Sequence, residues 1–214
     1  MLKIAHRGYS DKYKDNTLEA FEHAVRNHFD MIELDIQLCK SGEIIVYHDI
    51  IINSTMIIDC TLEELKKIDH DIITLETFFK KIKSFDIKIF LDVKGFSNIV
   101  QPLIQFIKKN LFYIYIPNLY ISSFNFTIIE QLKKNRIPFK LGITTSNYHT
   151  KNQINNMIDD IDFVCIDWTI LDQSIIDYLK EKNKMVFSCT CENLFIYNFM
   201  KKFQLDGIVS NILI

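Results

Sequence analysis

Short apolar runs alternate with amphipathic stretches along the whole chain. Nine of the runs read as strands, at 3–5, 31–36, 44–47, 89–93, 119–122, 140–144, 163–167, 185–189 and 207–210. Several are β-branched and nearly continuous in apolar character, as strands of a buried parallel sheet are. Helical patterns fill the gaps. Leu18, Phe21, Val25 and Phe29 form one apolar stripe behind Asn16-Thr17, an N-cap pair. Thr61 and Glu64 have the spacing of a capping box. Further helices are expected at 100–109, 128–134, 154–158, 175–182 and 194–202. Repeated strand–helix alternation predicts a parallel α/β fold.

Nine strands are one too many for an eight-stranded barrel, and residues 40–43 account for the extra one. Lys40-Ser41-Gly42-Glu43 reads as a tight turn between two strands with no helix between them. A hairpin centred on Ser41-Gly42 pairs residues whose numbers sum to 83, which sets Asp35 opposite His48. Eight barrel strands remain, so the expected fold is a (β/α)8 barrel with a β-hairpin extension after its second strand. No linker or repeat interrupts residues 1–214, so a single domain is expected. Chemistry on such a barrel sits at the C-terminal ends of the strands.

Several charged residues lie inside those strands. Glu33 and Asp35 are two apart, so their carboxylates face the same way, with Ile32 and Leu34 turned to the helix layer. Asp92 and Lys94 repeat the pattern between Leu91 and Val93. Bare carboxylates meeting in a barrel mouth are costly unless protonated, paired or bound to a cation. Oxygen-only ligation suits one hard divalent ion, Mg²⁺ or Ca²⁺. Three carboxylates against Arg7, Lys94 and a divalent ion leave one positive charge, which suits a singly charged phosphodiester. His6 and His48 stand at strand ends beside the carboxylates, placed to serve as general acid and general base. Arg7 offers a planar fork to phosphate oxygens and Lys94 a point charge. His23, His28, His70 and His149 read as solvated positions. Trp168, Phe124 and Phe187 read as core.

Composition narrows the partners. Hydrophobic residues make up 48% and charged residues 24% of the 214, and the net charge is −2. That balance argues against broad nucleic-acid or acidic-membrane binding. The five cysteines are scattered and follow no zinc spacing, so reduced thiols and a cytoplasmic location are expected. No signal peptide is visible, and the apolar stretch 111–121 is broken by Pro117 and Asn118, which excludes stable membrane insertion. Oligomeric state is not legible.

The order and spacing of several motifs resemble the glycerophosphodiester phosphodiesterases: His6-Arg7-Gly8, Asn16-Thr17-Leu18-Glu19-Ala20-Phe21, Ile32-Glu33-Leu34-Asp35-Ile36, Ser41-Gly42 and Val46-Tyr47-His48-Asp49. Later landmarks are Thr74-Leu75-Glu76, Ser122-Ser123-Phe124 and Asp206-Gly207-Ile208-Val209. The resemblance implies a distorted (β/α)8 TIM barrel, an acid–base pair of His6 and His48, and metal ligands Glu33 and Asp35. It also implies phosphate contacts from Arg7 and Lys94, with a small-molecule glycerophosphodiester as substrate. The third ligand, usually Glu, is Asp92 here. Asn53-Ser54-Thr55 lacks the Arg usual before it, the insertion between about His48 and Leu75 is very short, Phe187 stands for a Trp, and the terminal Thr-Asp is Ser210-Asn211. Asp at position 92 is also similar to the sphingomyelinase D-like phospholipases, which implies lysophospholipid cleavage as an alternative. A non-catalytic barrel relative is a third reading.

Overall fold

The computed structural model describes residues 1–110, 118–147 and 149–214. The apolar run expected at 111–121 therefore lies largely outside the described residues. The first strand, β1 (Leu2–Ala5), leads into α1 (Leu18–Arg26), β2 (Met31–Leu38) and β3 (Ile44–Val46). A short excursion follows: β4 (Ile51–Ile52), β5 (Thr55–Met56), α2 (Leu62–Ile68), β6 (Ile73–Thr74) and α3 (Leu75–Ile82). Regular alternation then resumes with β7 (Lys88–Val93), α4 (Val100–Lys109), β8 (Leu119–Ser122), α5 (Phe126–Lys134), β9 (Lys140–Thr145) and α6 (Lys151–Ile158). It ends with β10 (Phe163–Asp167), α7 (Gln173–Glu181), β11 (Met185–Cys191), α8 (Leu194–Met200) and β12 (Gly207–Ser210).

Strands β1, β12, β11, β10, β9, β8, β7 and β2 pair in that order, and β1 pairs back onto β2, closing a parallel barrel. The antiparallel strands β3 and β6 extend it from the upper part of β2. This is the (β/α)8 barrel with a hairpin after the second strand that the pattern predicts.

Side-chain alternation divides the core in two. Ile32, Leu34, Leu91 and Val93 face outward into the helix layer. Met31, Phe90, Tyr120, Phe163, Phe187 and Val209 fill the barrel with Ile4 and Cys165. Phe163 centres that cluster, 5.3 Å from Phe90 edge-on and 5.2 Å from Phe187. Gly142 makes room for it, because a Cβ there would stand 2.5 Å from the Phe163 ring. Phe187 is thus core, as expected. Trp168 packs edge-on against Phe199 at 5.9 Å. The cysteines are free thiols. Among the described residues no helix is long and apolar enough to cross a membrane.

Local signals behave as their chemistry requires. The Thr61 hydroxyl accepts from the Glu64 N–H, and the Glu64 carboxylate accepts from the Thr61 N–H at 2.8 Å, completing the capping box. Helix α3 was not among the expected helices. Its stripe of Leu75, Phe78, Phe79 and Ile82 is buried, and the Thr74 hydroxyl caps it by accepting from the Thr77 N–H at 3.1 Å. The segment Asn53-Ser54, where the usual Arg is missing, is a two-residue hairpin turn between β4 and β5 with positive φ at both positions.

The hairpin register differs from expectation by one residue. Ile36 pairs with Val46 and Leu38 with Ile44, so pair numbers sum to 82. The cause is a three-residue loop, Lys40-Ser41-Gly42. It is closed by the Gly42 N–H donating to Cys39 O and the Cys39 N–H donating to Glu43 O, both at 3.0 Å, with Gly42 at φ +96°. Asp35 consequently lies across from Tyr47, whose N–H donates to Asp35 O at 3.1 Å. His48 falls one residue beyond.

Truncating the barrel's central ring tests this packing. Phe163→Ala is expected to lower unfolding free energy by about 3–5 kcal/mol, read as a shift of the urea midpoint at unchanged slope.

Candidate active site

The chain leaves β1 through His6-Arg7-Gly8 and turns sharply, with Arg7 at φ +55° and Gly8 at φ +84°. A Cβ on Gly8 would lie 2.7 Å from the backbone carbon of Ala20, so glycine is required where α1 passes overhead. The turn aims the Arg7 N–H at Glu33 Oε2, 2.8 Å away. Strands β2 and β7 pair Asp35 with Asp92, which sets the two carboxylates side by side on the inward face. One carboxylate oxygen from each of Glu33, Asp35 and Asp92 lies within 4.8 Å of the other two, and all three residues are buried.

Two cations balance this charge. The Lys94 ammonium contacts Asp92 Oδ2 at 2.5 Å and Asp35 Oδ1 at 3.1 Å. The Arg7 guanidinium bridges Asp35 Oδ2 at 3.1 Å and Asp15 Oδ2 at 3.0 Å. Burial raises the Asp35 carboxyl, but Lys94 and Arg7 outweigh it and hold Asp35 below its ordinary value. Burial with two carboxylate neighbours pushes Glu33 well above its ordinary value, and burial raises Asp92 against the pull of Lys94. The cluster therefore favours a proton on Glu33, a charge that a divalent cation can replace.

The two histidines differ. His6 Nδ1 lies 2.6 Å from Asn211 Oδ1, which as a carbonyl oxygen accepts the Nδ1 proton and leaves the Nε2 lone pair free. Burial, then the Arg7 charge, lower the His6 pKa to about 4, so the ring is neutral near pH 7. His48 is more exposed, and its Nδ1 donates to Asp49 Oδ1 at 2.7 Å. Gln37 holds the His48 segment at the mouth, its amide donating to Tyr47 O at 2.9 Å and Asp49 O at 2.7 Å. Because β3 has already ended at Val46, strand alternation no longer dictates where His48 points.

All seven sequence-selected residues, His6, Arg7, Glu33, Asp35, His48, Asp92 and Lys94, line one cavity of about 130 Å³. Phe124 lines it too, half exposed with its ring 5.1 Å from Lys94 Nζ, which corrects its reading as core. Positioning residues were missed. Asn16 reads as part of a cap, yet the hydroxyl of Thr17 does the capping and buried Asn16 clamps Asp35. Its amide donates to Asp35 Oδ2 at 2.9 Å, and its carbonyl oxygen accepts from the Asp35 N–H at 3.2 Å. Gln37, a buried polar residue at the next inward position after Asp35, carried a period-two signal that could have found it. Asn211 and Asp49 carry no such signal, since both act from loops. A second acidic group, Asp69-His70-Asp71, lies at the surface with both carboxylates paired to Lys14.

The model of the glycerophosphoryl diester phosphodiesterase family matches residues 6–212. The chain belongs to this family. It is a phosphoric diester hydrolase, on a barrel whose loop ends gather the acidic and imidazole groups just described. The YhdW protein of Bacillus subtilis is 30% identical over 99% of this chain and 94% of its own length. The glycerophosphodiester phosphodiesterase of Caldanaerobacter subterraneus is 34% identical over 66% of this chain and 65% of its own. Among solved structures, the glycerophosphodiester phosphodiesterase of Thermotoga maritima superimposes with a TM-score of 0.83 at 25% identity, covering 99% of this chain and 94% of the other. A phosphodiesterase of Oleispira antarctica, solved with its product sn-glycerol-3-phosphate, gives a TM-score of 0.85 at 21% identity over 99% and 93%.

The neutral, buried His6 predicts a pH effect on stability. An unfolded imidazole titrates near 6.5 and the folded one near 4. As pH falls through that window the unfolded chain takes up a proton that the folded chain refuses, so stability drops. The loss reaches at most about 3 kcal/mol and is absent above pH 7. Replacing His6 with Gln should remove this component. The stability difference between variant and parent, measured by urea unfolding, should then change between pH 6.5 and 4 and be flat above 7.

Proposed function

We propose that the chain hydrolyses glycerophosphodiesters to an alcohol and glycerol phosphate. Glu33, Asp35 and Asp92 would hold one divalent cation, Mg²⁺ or Ca²⁺, and His6 and His48 would act as base and acid. The observation that carries this reading is the convergence of two imidazoles, three carboxylates and two cations on one cavity. The donor set fits a hard ion: three buried carboxylates within 4.8 Å, one of them inclined to keep a proton when no cation replaces it. When bound, the ion supplies Lewis-acid stabilisation of charge on the phosphoryl oxygens.

The chain's own groups account for the proton transfers. His6, with Nδ1–H committed to Asn211, has its Nε2 lone pair free to accept the proton of an attacking hydroxyl, either water or a neighbouring hydroxyl of the substrate. The new P–O bond forms as the bond to the alcohol breaks. For His48 to be the acid it must enter the step as the imidazolium, with Nδ1–H held by Asp49 and the Nε2 proton passing to the departing oxygen, while the proton of the nucleophile stays on His6. Attack by a neighbouring hydroxyl would pass through a cyclic phosphate, which water then opens. Arg7 and Lys94 balance the carboxylates here, and they are the cations in the cavity available to phosphate oxygens.

Glycerophosphocholine turnover tests the assignment. His6→Ala and His48→Ala should each lower kcat by roughly 10²–10⁴-fold without loss of fold by circular dichroism. EDTA should abolish turnover, with Mg²⁺ or Ca²⁺ restoring it. Activity near that of the parent in either histidine variant overturns the acid–base roles. Activity that persists in EDTA overturns the metal role.

A further inference from the structure

One carboxylate of the reaction cavity stands apart from the cluster on β2 and β7. Asp167 ends β10, two residues beyond Cys165 and four beyond Phe163, which both face the barrel interior. Alternation turns Asp167 inward as well, and it lines the same cavity as His6 and Asp92. The closed ring of eight strands sets β10 four places from β2 in either direction, so Asp167 stands across the mouth from Asp35. Its local duty takes one oxygen. Oδ1 accepts from the Thr169 N–H at 2.9 Å and from the Thr169 hydroxyl at 2.6 Å, capping the short turn Trp168–Ile170. Among the described residues no Lys or Arg pairs with this carboxylate and no group donates to Oδ2. A carboxylate with an open oxygen accepts hydrogen bonds and gives none.

The proposed reaction leaves one part of the substrate for this wall. Phosphate oxygens go to Lys94 and Arg7, and the departing alcohol goes to His48, which follows β3 on the β2 side of the mouth. The glycerol half stays on phosphorus, and the wall left to it is formed by β9, β10 and β11. That wall presents Thr144, Asp167 and Thr190, a carboxylate flanked by two hydroxyls, above Phe90 and Cys165. Such a set of acceptors and donors matches a polyol. The central hydroxyl of glycerol is the neighbour of the phosphate ester and the one that can attack with His6 as base. The terminal hydroxyl is then the group left to donate to Asp167 Oδ2. A cationic headgroup would also suit a carboxylate, but it departs with the alcohol at His48, across the mouth from Asp167.

We propose that Asp167 is a specificity-determining residue that accepts the terminal hydroxyl of the glycerol half and so selects glycerol esters over phosphodiesters lacking that hydroxyl. This inference rests on the proposed function for its substrate. Two choline esters test it: glycerophosphocholine, and 2-hydroxypropyl phosphocholine, which keeps the neighbouring hydroxyl and lacks the terminal one. With Mg²⁺ or Ca²⁺ present, kcat/KM of the parent chain should be about tenfold or more higher for glycerophosphocholine, and Asp167→Asn should bring the two esters within about twofold. The amide keeps the cap through its own oxygen, so the urea midpoint of the variant should stay near that of the parent. Equal loss on both esters overturns the inference. So does discrimination that the variant leaves intact, or its absence in the parent. Calorimetry with sn-glycerol 3-phosphate and propane-1,2-diol 1-phosphate reads the same contact without turnover. Tighter binding of glycerol phosphate by the parent, lost in Asp167→Asn, supports the inference, and equal binding of the two phosphates by the parent overturns it. A parent chain that cleaves neither ester counts against the proposed function, and the binding measurements then decide the role of Asp167.

Discussion

Three carboxylates share the buried mouth of this barrel, and the surrounding structure is arranged around the cost of keeping them there. Unpaired like charges at this spacing in a low-dielectric site are strongly unfavourable. Lys94 offsets Asp92 and Asp35, Arg7 offsets Asp35, and the Arg7 N–H serves Glu33. The balance is still incomplete, and Glu33 absorbs the deficit by favouring its protonated form. A cluster needing one more positive charge is poised for a cation in a way that three fully paired carboxylates are not. The same unfavourable electrostatics that tax the fold thus predispose the site to bind.

Holding such a cluster requires scaffolding on both sides of each strand. Ile32, Leu34, Leu91 and Val93 fix β2 and β7 to the helix layer, which leaves the inward positions no freedom to turn away. From the loop side, buried Asn16 grips both the backbone and the carboxylate of Asp35. Gln37 pins the strand exit after β3, and Gly8 permits the tight passage that aims Arg7. Asn16 holds the Asp35 carboxylate directly, and Gln37 and Gly8 act through the backbone, yet each limits where a reacting group can sit.

The fold and the charged set were legible because both follow from period two. Alternation in 31–36 and 89–94 already says which side chains face inward, β-branched runs separated by amphipathic stretches already imply a parallel α/β fold, and the count of eight strands outside the hairpin points to a barrel. What escaped depends on turn geometry and loop contacts. The hairpin at 39–43 was one residue off, because a two-residue and a three-residue loop differ by the conformation of Gly42, which composition does not reveal. His48 nevertheless reaches the cavity, since it lies past the end of β3, where register no longer governs it. Helix α3 was overlooked because it starts directly at the end of β6, with no loop to announce it. Phe124 follows β8 like a core residue, but the turn at Ser123 carries it to the rim. Phe187, a departure from the family pattern, is spent on packing within the barrel and touches no reacting group.

The departure at Ser210-Asn211 has the most chemical consequence. A carboxylate against His6 Nδ1 would stabilise an imidazolium and favour a charged ring. The neutral amide of Asn211 fixes the same tautomer without contributing charge, while burial and then the adjacent Arg7 oppose protonation. His48 has the opposite environment, an exposed position with a true carboxylate, Asp49, as its partner. Two imidazoles that composition does not distinguish therefore sit in different surroundings, His6 buried and neutral near pH 7 and His48 exposed beside a carboxylate. A family motif that specifies only two histidines leaves their order open. The base role is proposed for His6 because burial, Arg7 and the Asn211 contact leave it a free lone pair near pH 7.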